Sequence, residues 1–183
     1  VYLDARATET AEVSEFDEWL FGAGAAHEAA HLGTLGPYAD LGEGTEDDRV
    51  ARTRVALKSG EAVLYQGELR VETRLGGKRW TVVGAPDFIL LGAPGKLGPK
   101  AAAGAHIIRD SKLARRIAEK EHPEIFRQLE LYGWLYEKTL GAPPAGLEVH
   151  AGDGSIVPID YPGAAIVEAR LEELAAAKGA SSE

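Results

Sequence analysis

Of the 183 residues, none is cysteine and none is methionine. The missing cysteines exclude disulfides, thiolate zinc sites and a cysteine-held iron–sulfur cluster within this stretch. They leave the redox compartment open, and with nothing arguing for secretion the expected location is the cytoplasm. A chain that opens on Val1 and contains no methionine reads as a domain taken from a longer polypeptide. No apolar run reaches membrane-spanning length, and no charged-then-apolar signal segment comes first. Basic residues are in the minority, 20 Lys and Arg against 29 Asp and Glu. The resulting charge of −9 excludes a uniformly basic nucleic-acid coat but not a local basic path. What is present, 45% hydrophobic and 27% charged residues, suits one globular domain with a real core, or at most one and a half.

Periodicity divides the chain. Glu15 to about Leu35 reads as a helix, with Ser14 as cap and Phe16, Leu20, Ala23, His27 and Ala30 on one stripe. A second helix should start near Thr45, with Glu46, Asp47 and Asp48 in its first turn, and end near Ser59-Gly60. Residues 62–92 carry β-branched and aromatic residues around a Gly76-Gly77 turn, the pattern of antiparallel strands. A Gly/Pro/Ala-rich loop is expected over about Gly92–Gly104, and a strand over 105–114. A helix runs from Pro123 near its first turn to Gly141 at its end. A last hairpin turns at Asp153-Gly154, and a helix from about Pro162 to Lys178 closes the domain, leaving 179–183 as a disordered tail or linker. Strands and helices in this order imply a mixed α/β domain with a central sheet.

His27-Glu28-Ala29-Ala30-His31 matches H-E-x-x-H, which on a helix sets two imidazoles one turn apart to hold zinc. An HExxH zinc metalloprotease is therefore one alternative. The longer zinc-protease signature fails, since Thr34 and Pro37 stand where glycine and histidine belong, and Glu46 comes soon for a later glutamate ligand.

Three further stretches hold chemistry. In Gly84-Ala85-Pro86-Asp87-Phe88 the proline cannot donate to a ladder, so Asp87 projects from a distorted strand. In the strand around Arg109-Asp110-Ser111-Lys112, alternation puts Asp110 and Lys112 on one face and Arg109 and Ser111 on the other. A carboxylate and an ammonium leaving an apolar strand together are costly to bury unless they pair or bind a metal. Gln128 and Tyr132, four apart, share a helical face.

In order, Gly24-x-x-His27-Glu28, Pro86-Asp87, Asp110-Ser111-Lys112 and Gln128-x-x-x-Tyr132 resemble the motif series of the RecB-family branch of PD-(D/E)XK nucleases. The likeness extends over roughly residues 20–160 and is nearest to RecB-like nuclease domains at the front of larger bacterial proteins. It implies a restriction-endonuclease-like core, a central mixed sheet flanked by helices, filling residues 1–178. It implies a divalent-metal-dependent (exo)deoxyribonuclease of DNA repair, recombination or defence, acting on single strands or duplex ends. A helicase or RNase H-like module would be a natural companion in the full-length protein. By resemblance, Mg²⁺ or Mn²⁺ would be held by Asp87, Asp110, the backbone carbonyl of Ser111, and His27 or Glu28. Glu28 is preferred because a hard ion favours oxygen. Lys112 would act on water and the phosphate, while Gln128 and Tyr132 would support the site and touch DNA. Arg109, Arg115 and Arg116, with Lys120, would form a basic rim. The departures are a longer gap between Asp87 and Asp110 and the absence of cluster-binding cysteines. A nuclease-like fold kept as an inactive DNA-binding module is the non-enzymatic alternative.

Overall fold

The computed structural model describes residues 15–98 and 105–181. Ser14 and part of the expected 92–104 loop lie outside the described residues. The order of elements is α1 (Glu15–Thr34), β1 (Ala39–Asp40), α2 (Glu46–Ala56), β2 (Val63–Tyr65), β3 (Leu69–Leu75) and β4 (Lys78–Gly84). Then follow β5 (Phe88–Ala93), β6 (Lys96–Leu97), β7 (His106–Ser111), α3 (Pro123–Leu140), β8 (Gly146–His150), β9 (Ile156–Ile159) and α4 (Ala164–Ala180). The architecture is mixed α/β, a central mixed sheet flanked by helices.

The main sheet runs β1-β2-β5-β7-β8-β9, with β6 folded back on β5. Pairing is antiparallel except for β1–β2 and β7–β8. A parallel β7–β8 pair needs a crossover, and α3 is that crossover. Strands β5 and β7 are buried along almost their whole length, and alternate residues enter different cores. Ile89 and Ile108 join the large cluster containing Leu129, Trp134 and Leu135 of α3. Phe88, Leu90 and Ile107 join Leu32 of α1 in the smaller one. Helices on both faces explain why these strands read as continuous apolar runs rather than as alternation.

Local chemistry accounts for the boundaries. Thr45 and Asp48 form a reciprocal capping box at the start of α2. Gly141 ends α3 in the left-handed region with φ 80°. The β3–β4 hairpin turns at Gly76-Gly77, both with positive φ, but it forms a separate two-stranded sheet against α3. The expected 92–104 loop instead begins as a hairpin. Gly92 has φ 137°, and a Cβ there would sit 2.3 Å from the Lys96 carbonyl oxygen, so only glycine lets β6 return this closely. The strand expected over 105–114 stops at Ser111, after which residues 112–122 form an irregular crossing to α3.

Candidate functional site

At one end of the sheet the start of β5 meets the end of β7. Pro86 leaves Asp87 just ahead of the first paired residue, and the two aspartates interlock. The Asp87 amide donates to Asp110 Oδ1 at 2.8 Å, and the Ser111 amide donates to Asp87 Oδ2 at 2.8 Å. Lys112 Nζ stands 3.2 Å from Asp110 Oδ2 and donates to Gln128 Oε1 at 2.7 Å. Asp110 and Lys112 share a face as strand alternation requires, and Gln128 of α3 meets Lys112 there.

Burial is what makes this arrangement unusual. Asp110 is 2% exposed. Desolvation pushes its carboxyl upward, against the opposing pull of Lys112. Asp87 is pushed up to about 8, by burial first and by the Asp110 carboxylate next, with Glu28 adding to the repulsion. Three carboxylates thus act on one another in a place poorly served by water, and a cation would relieve them. Their oxygen chemistry fits a hard divalent ion. Among the described residues, however, no three His, Asp or Glu side chains already stand around a point where a metal could sit.

From α1, the Glu28 carboxylate adds its negative charge to the field felt by Asp87, Asp110 and the Tyr65 phenol. Burial first, and the nearby Glu28 carboxylate next, hold the Tyr65 phenol well above its ordinary range. A cavity of about 210 Å³ opens beside Glu28 and Asp87, lined also by Gly42, Arg49, Gln66 and Glu68. Arg49 is fixed there by an ion pair of 2.6 Å with the buried Glu68.

Tyr132 is 6% exposed, and its hydroxyl donates to the Ala85 carbonyl at 3.4 Å. It braces the Pro86-Asp87 turn and is too deep to touch DNA, which corrects half of its expected role. The helix can come this close because residue 84 is glycine. A Cβ there would lie 2.7 Å from Leu135 and 2.8 Å from Tyr132.

The opposite face corrects the expectation for Arg109. It lies 6% exposed beneath α1, its Nε and Nη2 donating to Glu148 Oε2 at 2.9 and 2.5 Å. Its Nη1 faces His31 Nε2 at 3.2 Å. A guanidinium so enclosed is a structural cation, not part of a DNA-facing rim. Arg115 and Arg116 are exposed on the crossing after β7, Arg116 beside Glu121 at 3.6 Å.

The two histidines of H-E-x-x-H both stack on His150. Ring centroids are 4.2 Å from His150 for His27 and 3.8 Å for His31, each ring nearly parallel to that of His150. Stacked rings present faces to one another, not nitrogens to a shared zinc, and His31 Nε2 is already occupied by Arg109. Desolvation, helped by the neighbouring His150, lowers His31 to about 4. His27 accordingly packs against β8, and Glu28 is the member of this turn that acts on the aspartates.

Sequence reasoning missed Tyr65, Gln66, Arg49, Glu148 and His150. A signal existed for the last two. Glu148 and His150 are two apart on a strand, and in register beside Arg109 and Ser111 they had to share a face with them.

No family model matches this chain, and no curated protein matches it. A solved structure described as the crystal structure of SSO0001 is similar over 88% of this chain and 84% of that one, at 16% identity and a TM-score of 0.43. No helix among the described residues is long and apolar enough to cross a membrane.

Proposed function

We propose that this chain is a divalent-metal-dependent nuclease of the PD-(D/E)XK type, related to the RecB-like branch, hydrolysing phosphodiesters in DNA. The observation that carries the proposal is the interlocked pair Asp87–Asp110 with Lys112 on the same face and Gln128 holding Lys112. Asp87, Asp110 and Glu28 would hold Mg²⁺ or Mn²⁺, with the Ser111 carbonyl as a main-chain donor. Such an ion, when bound, neutralises charge on the scissile phosphate and acidifies a water.

The chain's own residues do the rest. Backbone amides of Asp87 and Ser111 lock the two carboxylates so that neither needs to reorganise when substrate arrives. Lys112, held by Asp110 and Gln128, offers a fixed positive charge to the developing negative charge on phosphorus-bound oxygens. Tyr132 keeps the Pro86 turn from relaxing. The acidic chain supplies little phosphate grip of its own, and its DNA affinity should be weak and salt-sensitive.

The test is cleavage of labelled single-stranded and duplex DNA with Mg²⁺, Mn²⁺ or EDTA. Cutting that needs the ion and disappears in Asp110→Asn supports the proposal. Cutting in chelator overturns it, and binding without cutting under every ion returns the chain to the inactive-module alternative. Zinc-dependent proteolysis lost equally in His27→Ala and His31→Ala overturns it in favour of a protease.

A further inference from the structure

The backbone just after β7 is irregular but firmly held. The Lys112 amide donates to the His150 carbonyl at 2.9 Å, and the Gly152 amide donates to the Ala114 carbonyl at 2.9 Å. Residue 152, in the turn between β8 and β9, has to be glycine for this approach. A Cβ there would lie 2.0 Å from the Leu113 carbonyl oxygen. Leu113 is thereby fixed beside Lys112 with 37% of its surface exposed.

One exposed leucine is ordinary, but this one shares a cavity with a second. A cavity of about 800 Å³ opens from Lys112 between the 112–122 crossing, the first turns of α3 and the end of α4. Leu113 and Leu174, the latter 44% exposed, give it apolar walls. Its charged lining is Lys112, Arg127 and Lys178 against Glu124. Gln128, which holds Lys112, lies in the same wall. Arg127 is tied to Glu119 on the crossing and to Glu130 on α3, so it braces two walls together. The excess of positive charge is modest, and contact with the leucines has to supply part of any binding here.

We infer that this cavity receives a single DNA strand on its way to the scissile phosphate, with bases against Leu113 and Leu174 and backbone against Lys112 and Lys178. This rests on the nuclease reading for the identity of the strand and for Lys112 as the reacting end. The apolar walls decide between the two forms of DNA. A duplex keeps its base faces stacked inside and its phosphates outside, so leucines gain nothing from it. An unpaired strand turns base faces outward, where apolar side chains can cover them. The cations meet its phosphates in either case.

The experiment is fluorescence anisotropy of the full chain in EDTA, so that nothing is cut, at about 50 mM salt, where weak phosphate contacts still register. The labelled ligands are an oligothymidine, an abasic strand of the same length, a blunt duplex and an oligouridine. The oligothymidine should bind about tenfold tighter than the abasic strand or the duplex, the worth of one or two base contacts. Leu113→Ala and Leu174→Gln should each weaken the oligothymidine about fivefold, roughly the worth of one buried methylene, and leave the abasic strand unaffected. Lys178→Gln should weaken both strands alike and lower the salt slope by about one. Thermal melts accompany each titration, and Leu174→Gln and Lys178→Gln should melt with the parent.

Equal binding of oligothymidine and abasic strand overturns the inference, and so does a preference for the duplex. Tighter binding of the oligouridine overturns the assignment to DNA. Self-association in sedimentation that Leu174→Gln abolishes while strand binding persists gives the wall to a second copy, and that also overturns it. A parent protein that binds no strand at this salt does the same. Failure of the nuclease reading looks different, with the strand bound through Leu174 and Lys178 but left intact when Mg²⁺ or Mn²⁺ is added.

Discussion

Arg109 and Asp110 are neighbours in one strand, and the two faces they enter solve the problem of buried charge in opposite ways. On the α1 face Arg109 is matched by Glu148 through two hydrogen bonds and capped by stacked imidazoles. Charge there is balanced within the protein. On the α3 face Asp110 has Asp87 beside it and Glu28 nearby, with Lys112 as the cation in contact. Carboxylates there outnumber the cations in contact. Structural sites neutralise their own ions, whereas a site that awaits a ligand keeps an excess of one sign.

The largest separation between the faces should appear in catalysis. Asp110→Asn keeps an acceptor for the Asp87 amide but removes a charge, and cutting should fall at least about a thousandfold. His31→Ala, on the balanced face, should retain most cutting per folded molecule. A gel-based nuclease assay beside far-UV circular dichroism decides, and comparable losses in both variants would dissolve the distinction.

Stability should show the reverse preference. Arg109→Met leaves Glu148 buried without its partner and should cost about 3–5 kcal/mol in urea unfolding. Asp110→Asn should cost far less and can stabilise the metal-free protein by removing repulsion.

On the proposed mechanism Lys112 would act on phosphate and water rather than on the ion, so Lys112→Ala should lower turnover about a hundredfold with Mn²⁺ affinity preserved. Normal turnover in that variant would remove Lys112 from the mechanism.

The smallest effect is in pH. For metal-free protein, the Asp87 carboxyl titrates at about 8 when folded against an ordinary 3.8. The folded state keeps a proton that the unfolded chain gives up, so this contribution is full below about pH 4 and is lost as pH rises to 8. His31 titrates at about 4 when folded against an ordinary 6.5. There the unfolded chain takes the proton first, so stability grows as pH rises from about 4 to 6.5. The two groups oppose each other between about pH 4 and 6.5, and of the two only Asp87 acts above it. Melting temperatures in EDTA should decline between pH 6.5 and 8 in the parent and stay level in Asp87→Asn. A decline that persists in Asp87→Asn would refute the assignment.

Much of this contrast was legible in the chain. Alternation alone separates Asp110 and Lys112 from Arg109 and Ser111, and four-residue spacing puts Gln128 and Tyr132 on one face of α3, though that Gln128 meets Lys112 is a tertiary contact no local spacing shows. Helix ends were legible where a capping side chain or glycine marked them, at Thr45 and Gly141. The His27–His150 stack was not, because its members are 123 positions apart and depend on the tertiary pairing of α1 with β8. Arg109 was misjudged for the same reason. A guanidinium on a buried strand gives no local sign of whether its face meets solvent or a helix. Gln66 was invisible, since glutamine carries no preference for the left-handed conformation it adopts.

The sequence distances across the two faces also have a consequence in time. Asp87 finds Asp110 across 23 positions and Lys112 finds Gln128 across 16, so the acidic cluster assembles from one short run of chain. The histidine stack must close a loop of 123 positions and has to wait for β8, which pairs in parallel only after the α3 crossover is made. During synthesis on the ribosome, a nascent chain can therefore gather its leftover negative charge before α1 is clamped down beside it. Glu28, 59 positions before Asp87, joins the cluster only through a longer closure than the one that brings Asp87 to Asp110.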